Sequence, residues 1–296
     1  MKNQVEHYPV LHREVLKYLS LAKGENIVDA TVGGGGHSYL ILKNLPDKKI
    51  IGIDKDEYAI KRANEKLKEF EGRYKLVKSP FKNLDKVLDE LKIEKVSGFL
   101  FDLGVSHFQL KLERGFSFQK DEFLDMRMDK ENPLTAYDVV NTYPEYRLEE
   151  IIKNYGEDRF ARRIAKNIVE YRKKKKIETT KELENIVFHS YPRKLRHSKI
   201  HPATRTFQAI RIEVNNELEE IREALNKAIE RLDKGGIIAV ISFHSLEDRI
   251  AKNIYKEHKS LKNLELLTKK PITPTEEEVK ENPPSRSAKL RVAKRL

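Results

Sequence analysis

The run ENIVDATVGGGGHSYLILKNL, residues 25–45, constrains the fold more than any other part of the chain. A short apolar stretch ends in an acid, four glycines follow, and apolar residues at helical spacing then run up to Pro46. A strand buried on both faces reads as a continuous hydrophobic run. Consecutive glycines let the backbone turn sharply and pass close to a ligand. Strand, glycine turn and helix in this order open a doubly wound parallel sheet, whose ligands sit beyond the carboxyl ends of the strands.

The same alternation continues. KKIIGID (48–54) reads as a second buried strand and DEYAIKRANEKLKEF (56–70) as a helix. YKLVKS (74–79), FKNLDKVLDELKI (81–93) and VSGFLFDLGV (96–105) follow as strand, helix and strand. The rhythm stops between Ser106 and Asn215, where LEEIIKNYG, FARRIAKNIVEYRKKK and TKELENIVFHSY read as helices joined by polar loops. It resumes over 216–243 with a long helix, a Lys-Gly-Gly turn and a fifth buried strand. The helix DRIAKNIYKEH follows, then two final strands in KNLELLTKK (262–270) and AKLRVAKRL (288–296), around a Pro- and Glu-rich loop. The expected organisation is an α/β domain over 1–105 and 216–296, interrupted by a mostly helical insertion over 106–215.

Composition narrows the function. The chain has no cysteine, which excludes disulfides, thiolate zinc sites, iron–sulfur clusters and a cysteine nucleophile. No apolar run approaches the roughly 20 residues of a membrane span, and MKNQVEHYPV lacks the apolar core of a signal peptide. A soluble cytoplasmic protein is expected. From Arg159 to Arg211 there are 16 Lys/Arg against 4 Asp/Glu, a net of +12, which equals the formal charge of the whole chain. Such a concentration suits a nucleic acid, because neutralised phosphates release counterions.

The cofactor class follows from what the glycine turn lacks. Neither the dinucleotide pattern G-x-G-x-x-G nor the phosphate loop G-x-x-x-x-G-K-[ST] is present. Asp54 ends the second strand 21 residues beyond Gly33, a spacing at which an acid binds ribose hydroxyls. Asp29 before the glycines suits a cationic ligand better than a pyrophosphate. Asp29-x-x-x-Gly33-x-Gly35 resembles the first motif of the Rossmann-like S-adenosylmethionine-dependent methyltransferases. Without cysteine, ring activation at a pyrimidine carbon and radical methylation are closed. Direct attack of a nitrogen or oxygen lone pair on the methyl remains, a reaction that rests on positioning and electrostatics. Asp102, at the end of the fourth strand, is the candidate acceptor for the proton of a base amine. Enzymes methylating amines in DNA often carry Asp/Asn-Pro-Pro-aromatic there; this chain has Asp-Leu-Gly-Val.

Three further stretches carry polar side chains beyond what packing needs: RGFSFQKDEFLDMRMD (114–129), read as an ordered loop; HPATRTFQAIRIEVN (201–215), with His201, Arg205 and Gln208; and SFHSLEDR (242–249), with Ser242 and His244. Together with Arg193, Lys194 and Arg196 of the basic stretch, His201, Arg205, Ser242 and His244 are candidate substrate contacts. No H-E-x-x-H zincin motif is present, so no metal site is expected.

DATVGGGGHS, FDLGVS, RGFSF…LDMRMD, HPATRTFQAIRI and SFHSLEDR together resemble the bacterial small-subunit ribosomal RNA cytidine-N4-methyltransferase family. The likeness runs from about His7 to the C-terminal SRSAKLRVAKR. It implies methyl transfer from S-adenosyl-L-methionine to the N4 amine of a cytidine in the decoding region of 16S rRNA. It also implies cofactor contacts at Gly35, Gly36, His37, Asp54, Phe81, Asp102 and Gln109. The family usually carries Ser-Ser-Pro-Gln-Leu after DLGV; here Ser106-His107-Phe108-Gln109-Leu110 departs at two positions. A DNA amine methyltransferase, and a non-catalytic RNA-binding or assembly factor, are the alternatives.

Overall fold

The computed structural model describes residues 8–104 and 114–296. The chain forms two compact units, one of Met1–Gly104 with Leu218–Leu296 and one of Val105–Glu217.

In the first unit, α1 (His12–Leu19) precedes β1 (Asn26–Asp29), α2 (Gly36–Asn44), β2 (Lys49–Asp54) and α3 (Glu57–Leu67). Next come β3 (Tyr74–Lys78), α4 (Leu84–Glu90) and β4 (Val96–Asp102). The second unit contains α5 (Ala136–Thr142), α6 (Glu145–Gly156), α7 (Ala161–Arg172), α8 (Thr180–Ser190) and α9 (Ala203–Asn215). After it come α10 (Glu217–Arg231), β5 (Leu232–Ser242), α11 (Ser245–Ser260), β6 (Leu264–Leu266), α12 (Glu276–Glu281) and β7 (Lys289–Arg295).

The strands make one seven-stranded sheet in the order β3-β2-β1-β4-β5-β7-β6. The first five are parallel, as a Rossmann-like fold requires, but β7 runs antiparallel to both β5 and β6. The chain returns from β6 to β7 without a crossover of the kind that parallel neighbours need. Side chains alternate across the sheet and fill two cores. Val28, Ile51, Ile53, Phe99 and Phe101 pack with α4, α10 and α11 residues, while Ile27, Ile50 and Leu100 pack with α1 and α2 residues. Phe99 and Phe101, the largest fully buried side chains, lie in β4, the strand that ends in Asp102.

The Lys-Gly-Gly turn expected between helix and fifth strand lies inside β5. The pairing with β4 jumps there, from Val96 opposite Leu232 to Gly98 opposite Ile237. Gly235 takes φ +79° and the bulge folds back on Leu232.

The second unit has its own core, in which Leu148, Ile151, Ile164, Ile168, Leu183, Val187, Phe207 and Ile210 meet. The polar 114–129 stretch holds neither helix nor strand beyond a single bridge from Phe123 to Thr179. It is ordered by local bonds: Gly115 N–H donates to Glu122 Oε2 at 2.8 Å, and Arg127 Nε to Asp125 Oδ1 at 2.6 Å. Among the described residues, no helix is long and apolar enough to cross a membrane.

Candidate active site

Three neighbouring strands, β2, β1 and β4, each end in an aspartate. Register aligns Asp29 with Gly52 of β2 and Leu100 of β4, so Asp54 and Asp102 both stand two residues beyond it. Backbone bonds then fold the following turn back over the sheet edge. Ala30 N–H donates to Leu100 O at 2.9 Å, Val32 N–H to Ile53 O at 3.0 Å, and Asp102 N–H to Thr31 Oγ1 at 2.6 Å. A side chain on Gly52 would meet Leu76 and Val32 within 3 Å, so the turn lies directly on β2.

The glycine turn ends in the helix itself. α2 starts at Gly36, inside the run. Gly35 is its N-cap at φ +77°, a left-handed conformation that an L side chain adopts poorly. A Cβ on Gly35 would also stand 3.2 Å from the Ala63 Cα of α3. The glycine at 35 is therefore fixed by backbone conformation and by the approach of α3, and not only by ligand clearance. No side chain caps α2. The first N–H groups of such a helix are left for an anionic ligand group, such as a carboxylate.

The three aspartates differ in environment. Asp54 accepts from Gly33 N–H at 3.0 Å and from Asp56 N–H at 2.8 Å. Burial, only partly offset by these two bonds, pushes its carboxyl up to about 6. Asp29 is buried, and burial raises its pKa against the bond from Ser38 Oγ at 2.6 Å and the nearby His37. Asp102 Oδ1 is buried without a hydrogen-bond partner among the described residues, and its Oδ2 stands 3.6 Å from His37 Nε2.

Phe81 begins a turn after β3 and meets Phe101 edge-on, ring centroids 6.1 Å apart. Its neighbour Lys82 and the Asp54 neighbour Lys55 both pair with Glu220 of α10, at 3.7 and 3.3 Å. The structure thus brings Gly35, Gly36, His37, Asp54, Phe81 and Asp102 onto one sheet edge. Thr31, Ser38 and Glu220 belong to the same edge and escape sequence reasoning. The first two follow Asp29 and His37 closely enough to have been signalled. Glu220 lies 165 residues from its partner Lys55 and gives no such signal. Gln109 lies outside the described residues.

The remaining candidates are placed as follows. Ser242 ends β5 and is buried. His244 is the N-cap of α11: its ring accepts from Glu247 N–H at 3.4 Å, while Glu247 Oε2 accepts from Phe243 N–H at 2.8 Å. The cap engages Nδ1, and Nε2 lies 3.2 Å from Glu247 Oε1. In the second unit, His201 stacks between Phe118 and Phe188, at 4.8 and 5.8 Å, and its Nε2 is 3.2 Å from Glu184. Arg205 and Gln208 donate to the carbonyls of Glu157 and Tyr155, tying α9 to the end of α6. Arg196 donates to the Tyr191 and His189 carbonyls and lies over the Phe188 ring. Arg193 and Lys194 are exposed.

A set of three acids at the strand ends is unsuited to a polyphosphate. It suits a ligand with a cationic centre and hydroxyl groups, and the uncapped α2 start suits that ligand's carboxylate. The family model described as the MraW methylase family matches residues 4–296. The chain belongs to the MraW methylase family. A Persephonella marina protein named ribosomal RNA small subunit methyltransferase H is 68% identical over 292 residues, covering 99% of this chain and 100% of its own. The protein of that name from Sulfurihydrogenibium sp. YO3AOP1 is 69% identical with the same coverage. That of Caldicellulosiruptor saccharolyticus is 54% identical over 308 residues, 98% of this chain and 99% of its own. As a member of this family, the chain is an S-adenosylmethionine-dependent methyltransferase.

Proposed function

We propose that this methyltransferase modifies the N4 amine of a cytidine in the decoding region of small-subunit ribosomal RNA. The observation that carries the reading is Asp102: a strand-end carboxylate with a buried, unpartnered oxygen beside the glycine turn. The names of the closely similar relatives support the ribosomal substrate.

S-adenosylmethionine supplies a methyl group on a sulfonium when bound. The backbone of Gly35, Gly36 and His37 at the α2 start would hold its carboxylate, Asp54 its ribose hydroxyls, and Phe81 the face of its adenine. An exocyclic amine is a weak nucleophile because its lone pair is delocalised into the ring. Asp102 accepts a hydrogen bond from that amine, localises the lone pair, and takes the proton released when nitrogen bonds to carbon.

The second unit is the RNA-binding part of this reading. Arg162, Arg163 and Lys166 project from α7 into solvent, and Arg193 and Lys194 are also exposed. Other cations of the stretch are engaged within the fold. Arg172 donates to the Val140 and Tyr143 carbonyls, and Arg211 makes a bidentate pair with Glu217. Incubation with labelled cofactor and either purified small subunits or duplex DNA tests the acceptor class. Label in the subunit RNA is expected; label in DNA, or in neither, overturns the reading.

A further inference from the structure

Beside Asp102 stands a second basic group that methyl transfer as described leaves idle. His37 is 7% exposed, and its Nε2 has no hydrogen-bond partner among the described residues. That atom lies 3.6 Å from Asp102 Oδ2, too far for a bond and close enough for one after a small rotation. Its Nε2 faces Asp102 from the end of β4, and Asp29 from the end of β1 interacts electrostatically with the ring. Asp29 is itself held by Ser38 Oγ and by Thr31 N–H. Among the described residues, these are the titratable groups shown to interact with the ring. A buried polar atom without a partner is costly. Two such atoms on adjacent side chains, Nε2 of His37 and Oδ1 of Asp102, mark groups kept for a transient proton.

We infer that His37 is a positioning and proton-relay residue acting through Asp102. It orients the Asp102 carboxylate toward the amine and then takes from it the proton the amine has released. The inference rests on the reading of Asp102 as amine acceptor. The balance is complete. The N4 lone pair forms the new C–N bond as the C–S bond breaks, and the bonding pair leaves on sulfur as a neutral thioether. The cationic nitrogen gives its proton to the Asp102 carboxylate, and the proton passes to Nε2 of His37. The site then holds an imidazolium flanked by the Asp102 and Asp29 carboxylates, and solvent removes the proton between turnovers. His37 completes the reset of Asp102 before the next amine arrives.

Single-turnover methyl transfer and cofactor calorimetry on His37→Gln, Asp102→Asn and the double variant test this. In His37→Gln the rate falls about a hundredfold, within the range of general acid–base effects, while cofactor affinity stays within about threefold. In a parallel multiple-turnover assay the deficit shrinks as pH rises, because hydroxide can then clear Asp102 between turnovers. The double variant is no slower than Asp102→Asn alone, since the two act as a unit. A His37→Gln enzyme at the wild-type rate across pH overturns the inference, as does a double variant slowed by the product of the single effects. Both results leave Asp102 in place. A wild-type rate in Asp102→Asn removes the underlying reading and the relay with it. A second readout needs neither turnover nor a His37 variant: in the cofactor-free protein, the 15N resonance of His37 Nε2 moves when Asp102 becomes Asn. An unmoved resonance contradicts the coupling.

Discussion

Asp54 shows how one carboxylate links acidity, stability and ligand binding. Its folded-state pKa of about 6 lies above the ordinary value of 3.8 because burial penalises the charge. The folded chain therefore holds this proton more tightly than the unfolded chain. The stability it contributes is full below the ordinary value and is lost as pH rises toward 6. Ligand binding has the opposite sign, since the ionised form accepts from ribose hydroxyls. Cofactor affinity should weaken by up to about tenfold per unit as pH falls below about 6. Calorimetry at pH 5, 6 and 7 checks this, with Asp54→Asn as the comparison. The variant should bind weakly and without that pH dependence.

At the scale of elements, the strand ends were legible and several helices were not. Each of β1, β2 and β4 announces itself as an apolar run ending in aspartate, so the sheet edge could be placed from residues alone. α1 and α5 are short and flanked by loops, so their spacing spans too few turns to stand out. α9 has Ala203, Phe207, Ile210 and Val214 buried at helical spacing. Its polar residues drew the reading toward a site instead. Arg205 and Gln208 bond to the end of α6, so part of that polar content is helix-to-helix structure. The closeness of this crossing makes a prediction. A Cβ on Gly156 would stand 2.7 Å from the Arg205 carbonyl oxygen. Gly156→Ala should destabilise the protein by about 1–3 kcal/mol through overpacking, read as a lowered denaturation midpoint with an unchanged slope. Wild-type stability would mean that the two helices are free to separate.

For the whole molecule, charge separates the work of the chain. The excess of +12 sits within Arg159–Arg211, and only a subset of those cations is free of internal duties. Composition could not tell Arg162 from Arg172: the first faces solvent, and the second holds backbone carbonyls. Neutralising Arg162, Arg163 and Lys166 together should weaken RNA binding and lower its log–log salt slope by about 2. Cofactor affinity should not change. Filter binding across salt concentrations checks this, and an unaltered slope places the RNA contacts elsewhere. Neutralising Arg196 is a poorer test, because it anchors the Tyr191 and His189 carbonyls.

The central claim joins the strand-end carboxylate to one atom of one base. Small subunits methylated by the wild-type chain can be digested to nucleosides and resolved by mass spectrometry. The account predicts the new methyl group in N4-methylcytidine, and its loss with Asp102→Asn at retained cofactor binding. A methyl group on a ring carbon or a ribose oxygen, or an undiminished yield from Asp102→Asn, would contradict it.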